Sequence, residues 1–139
     1  MDPKHIVKSY DTELYKLRSA IAEMGAASVS QLSLAFQALL NLNRDAAKEV
    51  VARDEKVDRL QASVDELTVL MLAKRQPLAQ DLRVIFTGQR IAASLERISD
   101  YATSIARHAL AIEDQMADMP MEMLKAMGDT AQDMLKSIM

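Results

Sequence analysis

The chain has no cysteine and no tryptophan, and its 139 residues include only three glycines, three prolines and five other aromatics. Without cysteine there are no disulfides and no thiolate metal sites, which fits a reducing compartment. Few turn-formers and few aromatics leave little material for strands and hairpins. The remainder is 50% hydrophobic and 27% charged, and Ala, Leu, Met, Glu, Lys and Arg, the strong helix formers, are abundant. This reads as one soluble helical chain, long enough to bury a core without staples. The net charge is −3. With no basic tract and no helix-turn-helix pattern, nucleic acid is not expected as a partner.

One stretch is long enough to test as a membrane span: residues 24–43 carry no charge. Ser28, Ser30, Gln31, Ser33, Gln37, Asn41 and Asn43 interrupt it, so it reads as a packed helix in water. The first residues, MDPKHIVKSYD, contain no apolar signal core. A cytoplasmic location is expected, with the membrane reached only peripherally, through partners.

Three segments show sustained 4,3 apolar spacing, the mark of helices packed nearly antiparallel. The first runs Tyr10, Leu14, Leu17, Ile21, Met24, Ser28, Ala35, Leu42, flanked by Leu32 and Leu39. The second runs Ala46, Val50, Val57, Leu60, Val64, Leu67, Met71, with Arg53 its one misfit. The third runs Val84, Gly88, Ile91, Leu95, Ile98, Ala102, Ile105, Ala109, Ile112. Asn43 and Asp45 suit the start of the second helix, Pro77 and Asp81 that of the third, and Pro120 with Glu122 marks a fourth. At ~1.5 Å per residue each main helix spans roughly 40–50 Å. The fold class expected is therefore all-α: an antiparallel bundle of three long helices plus a fourth, C-terminal helix.

An internal match organises the chain further. Ile21-x2-Met24-Gly25-x6-Leu32 recurs as Leu124-x2-Met127-Gly128-x6-Leu135, which fits a three-helix unit followed by the opening helix of a second copy. The division expected is a bundle over 1–115 and an orphan helix over 116–139. Seven of the ten methionines fall from Met116 onward, and the apolar face of Leu124, Met127, Ala131, Leu135 and Ile138 needs cover. The first bundle, a second subunit or a second half would supply it.

The candidate chemistry lies in carboxylates. Glu96 and Asp100 stand four apart on the third helix, a spacing at which like charges repel. On a helical wheel they fall opposite the apolar stripe, beside Ala92, Ala93 and Thr103. Asp54, Asp58 and Asp65 form a stripe on the second helix. Counted from the turn at 74–77, Asp54 and Asp58 reach the same height as Glu96 and Asp100 in an antiparallel hairpin. Four such charges at one level call for solvent, arginine or a multivalent cation. Oxygen-only ligands suit Mg²⁺, Mn²⁺, Fe or Ca²⁺. The alternative is a solvated acidic face paired by Arg53, Arg59, Arg97 or Arg107, on a structural, oligomerising bundle.

Other chemistries find less. A ferritin-like di-iron site needs Glu-x-x-His on two helices, and neither His5 nor His108 follows a Glu at that spacing. No nucleophile constellation, glycine-rich phosphate loop, general base or substrate clamp accompanies the acids. An enzyme, such as a metal-dependent phosphohydrolase, is the least supported class. Lys74 and Arg75 beside Pro77 make a small basic spot that complements a helix C-terminus.

LAKRQPLAQDLR at 72–83 and LERISDYATSIAR at 95–107 resemble the junction and the Glu-Arg-Ile-Gly-Asp box of the PhoU family of bacterial phosphate-signalling regulators. Asp54-Glu55-Lys56-Val57-Asp58 resembles that family's first acidic motif, and Leu14 through Met24-Gly25 its opening helix. The resemblance implies a fold of two tandem three-helix bundles, of which this chain holds one and a fraction. It implies a multinuclear site for a divalent or multivalent cation (Mg, Mn, Fe or Zn), with Asp54, Asp58, Glu96 and Asp100 as ligands. It also implies a non-enzymatic negative regulator of phosphate uptake. Such a protein links the phosphate ABC transporter to a sensor histidine kinase, and is expected as a homodimer or higher homo-oligomer. Ser99 stands where the family's box has glycine.

Overall fold

The computed structural model describes residues 3–75, 77, 79–112 and 120–139, with side chains from Tyr10 onward except that of Arg75. The His5 and Arg75 side chains and the boundary at 115/116 lie outside the described residues. Four helices follow one another: α1 (Pro3–Leu40), α2 (Arg44–Arg75), α3 (Ala79–Ala111) and α4 (Met121–Ile138). Helices α1, α2 and α3 pack mutually as an up-down-up bundle, and α4 rests on α1. At 38 residues, α1 reaches about 57 Å, longer than the spacing predicts. None of the described helices is long and apolar enough to cross a membrane.

The boundaries have local causes. The Asn43 side chain accepts a hydrogen bond from the Ala46 N–H at 3.1 Å, capping α2, with Asp45 in its first turn. Asp81 lies in the first turn of α3, but Pro77 stands two residues before that helix rather than inside it. Pro120 precedes α4, and Glu122 sits in its first turn. At the other end of α3, Arg44 donates to the Leu110 carbonyl at 2.9 Å, so the start of α2 closes the end of α3.

The corner between α1 and α2 is a Schellman turn: Asn43 N–H reaches the Ala38 carbonyl at 2.9 Å and Leu42 N–H that of Leu39 at 3.5 Å. Its left-handed position is held by Leu42, at φ 49°. Glycine takes that position without strain, whereas an L side chain there costs roughly 1–2 kcal/mol.

Leu17, Met24, Val50, Val57, Val64, Met71, Ile85 and Leu95 form the middle of the core. Two polar side chains cross-link it. Ser28 Oγ donates to the Leu95 carbonyl at 3.0 Å and Gln31 Nε2 to the Val50 carbonyl at 2.9 Å. Two of the polar residues interrupting the uncharged 24–43 stretch, Ser28 and Gln31, thus bind α1 to its neighbours.

The stripes on α2 and α3 are half as expected, and the difference is systematic. The positions Val50, Val57, Val64, Met71 and Gly88, Leu95, Ala102, Ala109 do turn inward. Their alternates shift by one residue. On α3, Ile85, Ala92, Ser99 and Ala106 are buried, while Val84 and Ile91 stay 38% and 44% exposed. On α2, Ala47 and Thr68 are buried in place of Ala46 and Leu67, Asp54 replaces the misfit Arg53, and Gln61 stands beside Leu60. Small residues let the helices approach closely, and the larger aliphatics at 60, 67, 98 and 105 line the margins. The seam between α2 and α3 is therefore partly polar.

Candidate metal centre

That one-residue shift brings the acids to the core's edge. Asp54 is half-buried in α2, and Thr103 of α3, itself buried, donates to its Oδ1 at 2.9 Å. One turn on, Asp58 faces Asp100 across the seam. Asp54, Asp58 and Asp100 each offer a carboxylate oxygen, and these oxygens lie within 4.8 Å of one another. Three oxygens so spaced fit around a single cation with oxygen ligands at about 2.0–2.6 Å. Glu96 is half-buried one turn away and falls outside that set. The structure thus joins three of the four sequence-identified acids and holds the fourth at the rim. Ala92 and Thr103, placed by the wheel on the far side with Glu96, are in fact buried in the seam.

The electrostatics are those of an uncompensated cluster. Partial burial, then the charges of Asp54, Asp100 and Glu55, raise Asp58 above the ordinary aspartate range. Burial, then the charge and hydrogen bond of Asp100, then Asp58 and Asp54, raise Glu96 likewise. The arginines available for pairing are engaged elsewhere or apart. Arg53 pairs with Glu49 and Arg59 with Glu55, one turn along their own helix, and Arg97 contacts the Tyr101 hydroxyl at 3.5 Å. Among the described residues no ion pair joins Asp54, Asp58, Glu96 or Asp100 to any cationic side chain.

Two supporting features were less legible in sequence. Thr103 lies three residues beyond Asp100, but only the α2–α3 register shows that it orients Asp54. Farther along the seam, Asp65 accepts from Gln89 Nε2 at 3.1 Å and from Gln61 at 3.4 Å. Asp65 therefore continues the acidic stripe with amide partners, not as part of the cluster. His108 is bonded through Nδ1 to the Ser104 carbonyl at 2.7 Å within α3, a local contact away from the acids.

Comparison with known proteins gives the same order and spacing of elements. The sequence profile of the PhoU domain matches residues 21–109. The phosphate-specific transport system accessory protein PhoU homolog of Xylella fastidiosa is 44% identical over 108 residues, covering 78% of this chain and 45% of that protein. The accessory protein PhoU of Escherichia coli K12 is 35% identical over 136 residues, covering 98% and 56%. The crystal structure of PhoU from Pseudomonas aeruginosa superposes with a TM-score of 0.88 at 30% identity, covering 91% of this chain and 61% of that one. The chain spans about half the length of the curated relatives it matches.

Proposed function

This chain belongs to the PhoU domain family, and from that premise we propose that it is a non-enzymatic regulator of phosphate uptake with a cation site between α2 and α3. Its relatives are named as accessory proteins of a phosphate transport system, which supports association with transporter components. The finer reading couples the phosphate ABC transporter to a sensor histidine kinase at the inner face of the membrane, where the protein docks from the cytoplasm. The chain divides near residue 115 into one three-helix repeat and the helix that opens another.

The observation that carries the cation site is the convergence of Asp54, Asp58 and Asp100 with no ion pair to a cationic side chain among the described residues. Their residues fit a hard or borderline divalent ion, with Mg, Mn, Fe and Zn as candidates. Such an ion supplies positive charge that offsets the repulsion of the cluster. Asp58 and Asp100 would ligate from the open side and Asp54, oriented by Thr103, from the core side; Glu96 stands ready as a further ligand at the rim. Because α2 and α3 each contribute, occupancy clamps the seam and is able to signal through the bundle's shape.

Metal analysis of the purified chain, with melting curves in chelator and in added Mn²⁺, tests the site. Bound metal, and a melting rise abolished by Asp58→Asn with Asp100→Asn, support it. Absence of metal with superimposable curves favours the second reading, an oligomerising bundle whose exposed Asp58 and Asp100 are only solvated. Recovery of transporter ATPase and kinase from phosphate-replete and phosphate-starved cells tests the regulatory role; if neither co-purifies, that role falls.

A further inference from the structure

The cations of the bundle are unevenly matched. On α2, Lys48, Arg53, Lys56 and Arg59 each pair with an acid of α1 or α2. On α3, Arg83, Arg90 and Arg97 are exposed, and among the described residues no acid pairs with any of them. The three recur at every seventh position. Seven residues fall about 20° short of two full turns, so these arginines leave α3 in one slowly drifting file, about 10.5 Å apart.

That file is the outermost line of α3. Gly88, Leu95, Ser99 and Ala106 turn into the bundle, and at about 100° per residue Arg97 projects from the opposite side. Phe86 and Tyr101 flank the file, 47% and 59% exposed, and the Tyr101 hydroxyl meets the Arg97 guanidinium at 3.5 Å. The acids of α3 lie to one side, Asp100 about 60° and Glu96 about 100° round the helix from Arg97.

We infer that this file is a docking line for an acidic helix of another protein. That helix lies along α3, with Asp or Glu at seven-residue spacing facing Arg83, Arg90 and Arg97 and apolar residues against Phe86 and Tyr101. This goes beyond the regulatory reading and does not depend on the cation site.

The spacing selects the occupant. A file of like charges repeating every seven residues is matched by a second helix with the same repeat, the two coiling slowly about each other. Each guanidinium is a rigid fork that takes a carboxylate through two parallel hydrogen bonds. The exposed rings add apolar area that a helix side chain covers. A flat anionic membrane fits less well, because it would also press on Asp100 and, across the seam, on Asp58, both exposed and of the same sign as the lipid. A single helix follows the file and leaves those acids beside it. Within these 139 residues no three acids recur at successive intervals of seven, so a second copy of them does not offer the match.

The test is fluorescence anisotropy of a synthetic peptide, stapled as a helix, with glutamate at every seventh position and leucine one turn away. A peptide of the same composition with its glutamates scattered, and vesicles of phosphatidylcholine with phosphatidylserine, are run beside it. The ordered peptide is expected to bind the 139-residue chain more tightly than the scattered one, and less tightly as salt is raised. Arg83→Glu with Arg90→Glu should weaken that binding by roughly tenfold or more, as two exposed charge pairs turn repulsive. Lys48→Glu with Arg59→Glu, reversing two paired cations of α2, should leave it unchanged. Circular dichroism confirms the fold, and Arg83→Gln with Arg90→Gln replaces the first variant should it lose helicity. Equal binding of both peptides overturns the proposal, as does capture of vesicles without the ordered peptide. So does binding that survives in a folded Arg83, Arg90 double variant.

Discussion

The seam between α2 and α3 and the seam between α1 and α4 both depart from ordinary aliphatic packing, in opposite ways. At the first, two helices meet through Asp54, Thr103, Ser99 and Thr68, and among the described residues no ion pair balances the charge there. At the second, Gly25 and Gly128 let side chains of the facing helix lie on bare backbone. A polar seam is costly without a partner, because crowded like charges and unpaired buried hydroxyls are not repaid by contact area. A glycine seam carries no such cost, and its specificity comes from shape alone. The first is therefore stabilised by whatever neutralises its charge, and the second by the fit of Met139 and Phe36 against Gly25 and Gly128.

Predictions that sharpen this contrast run from the core outward. Leu95→Ala, emptying the apolar layer level with the acids, should cost about 2–5 kcal/mol in urea unfolding; a much smaller loss would mean that the seam, not the core, carries the bundle there. A saturating divalent cation should stabilise the folded chain by about 2.7 kcal/mol at a hundred times its dissociation constant. The gain should vanish in Asp58→Asn with Asp100→Asn and persist in Gly128→Phe. If both variants lose it, the seams are not independent.

Smaller effects test how the polar seam is held. Thr103→Val removes the hydrogen bond that orients Asp54 and should weaken cation binding by about tenfold in calorimetric titration, as loss of an outer-shell partner does. Ser99 Oγ is buried with no hydrogen-bond partner among the described residues, so Ser99→Ala should raise stability by about 1 kcal/mol. A loss instead would show that the hydroxyl has work in the seam.

The smallest predicted effect is on pH. Asp58 and Glu96 have folded-state pKa values above their unfolded ones, so the folded chain takes up protons first. Cation-free stability should therefore increase as pH falls from neutral toward the ordinary carboxylate range, and decline as pH climbs back through the folded values. Asp58→Asn with Glu96→Gln should flatten that slope; a slope of the opposite sign would mean the acids are stabilised in place.

Much of this was readable in the residues. Heptad spacing showed the helices, Asn43 and Pro120 marked two of their starts, and counting from the turn put Asp54, Asp58, Glu96 and Asp100 at one height. What misled was hydrophobicity. Ile91 outranks Ala92, and Ile98 outranks Ser99, on any apolar scale, so the expected stripe ran through them. The helices instead turned their small residues inward to approach more closely, which moved Asp54 and Thr103 into the seam. Glu96 reaches Asp100, whose charge and hydrogen bond raise its pKa, yet stays outside the set of three oxygens that converge, because height along a helix says nothing of the angle around it.

Periodicity, capping residues and composition settle helix identity and order because each acts within a few residues of chain. The rotation of each helix about its axis is a different matter. It is set when three surfaces compete for the same interior, and the winner is the arrangement with least empty volume rather than the most apolar stripe. Which carboxylates share a site, and which glycine faces which side chain, follow from that rotation; no local pattern holds the information.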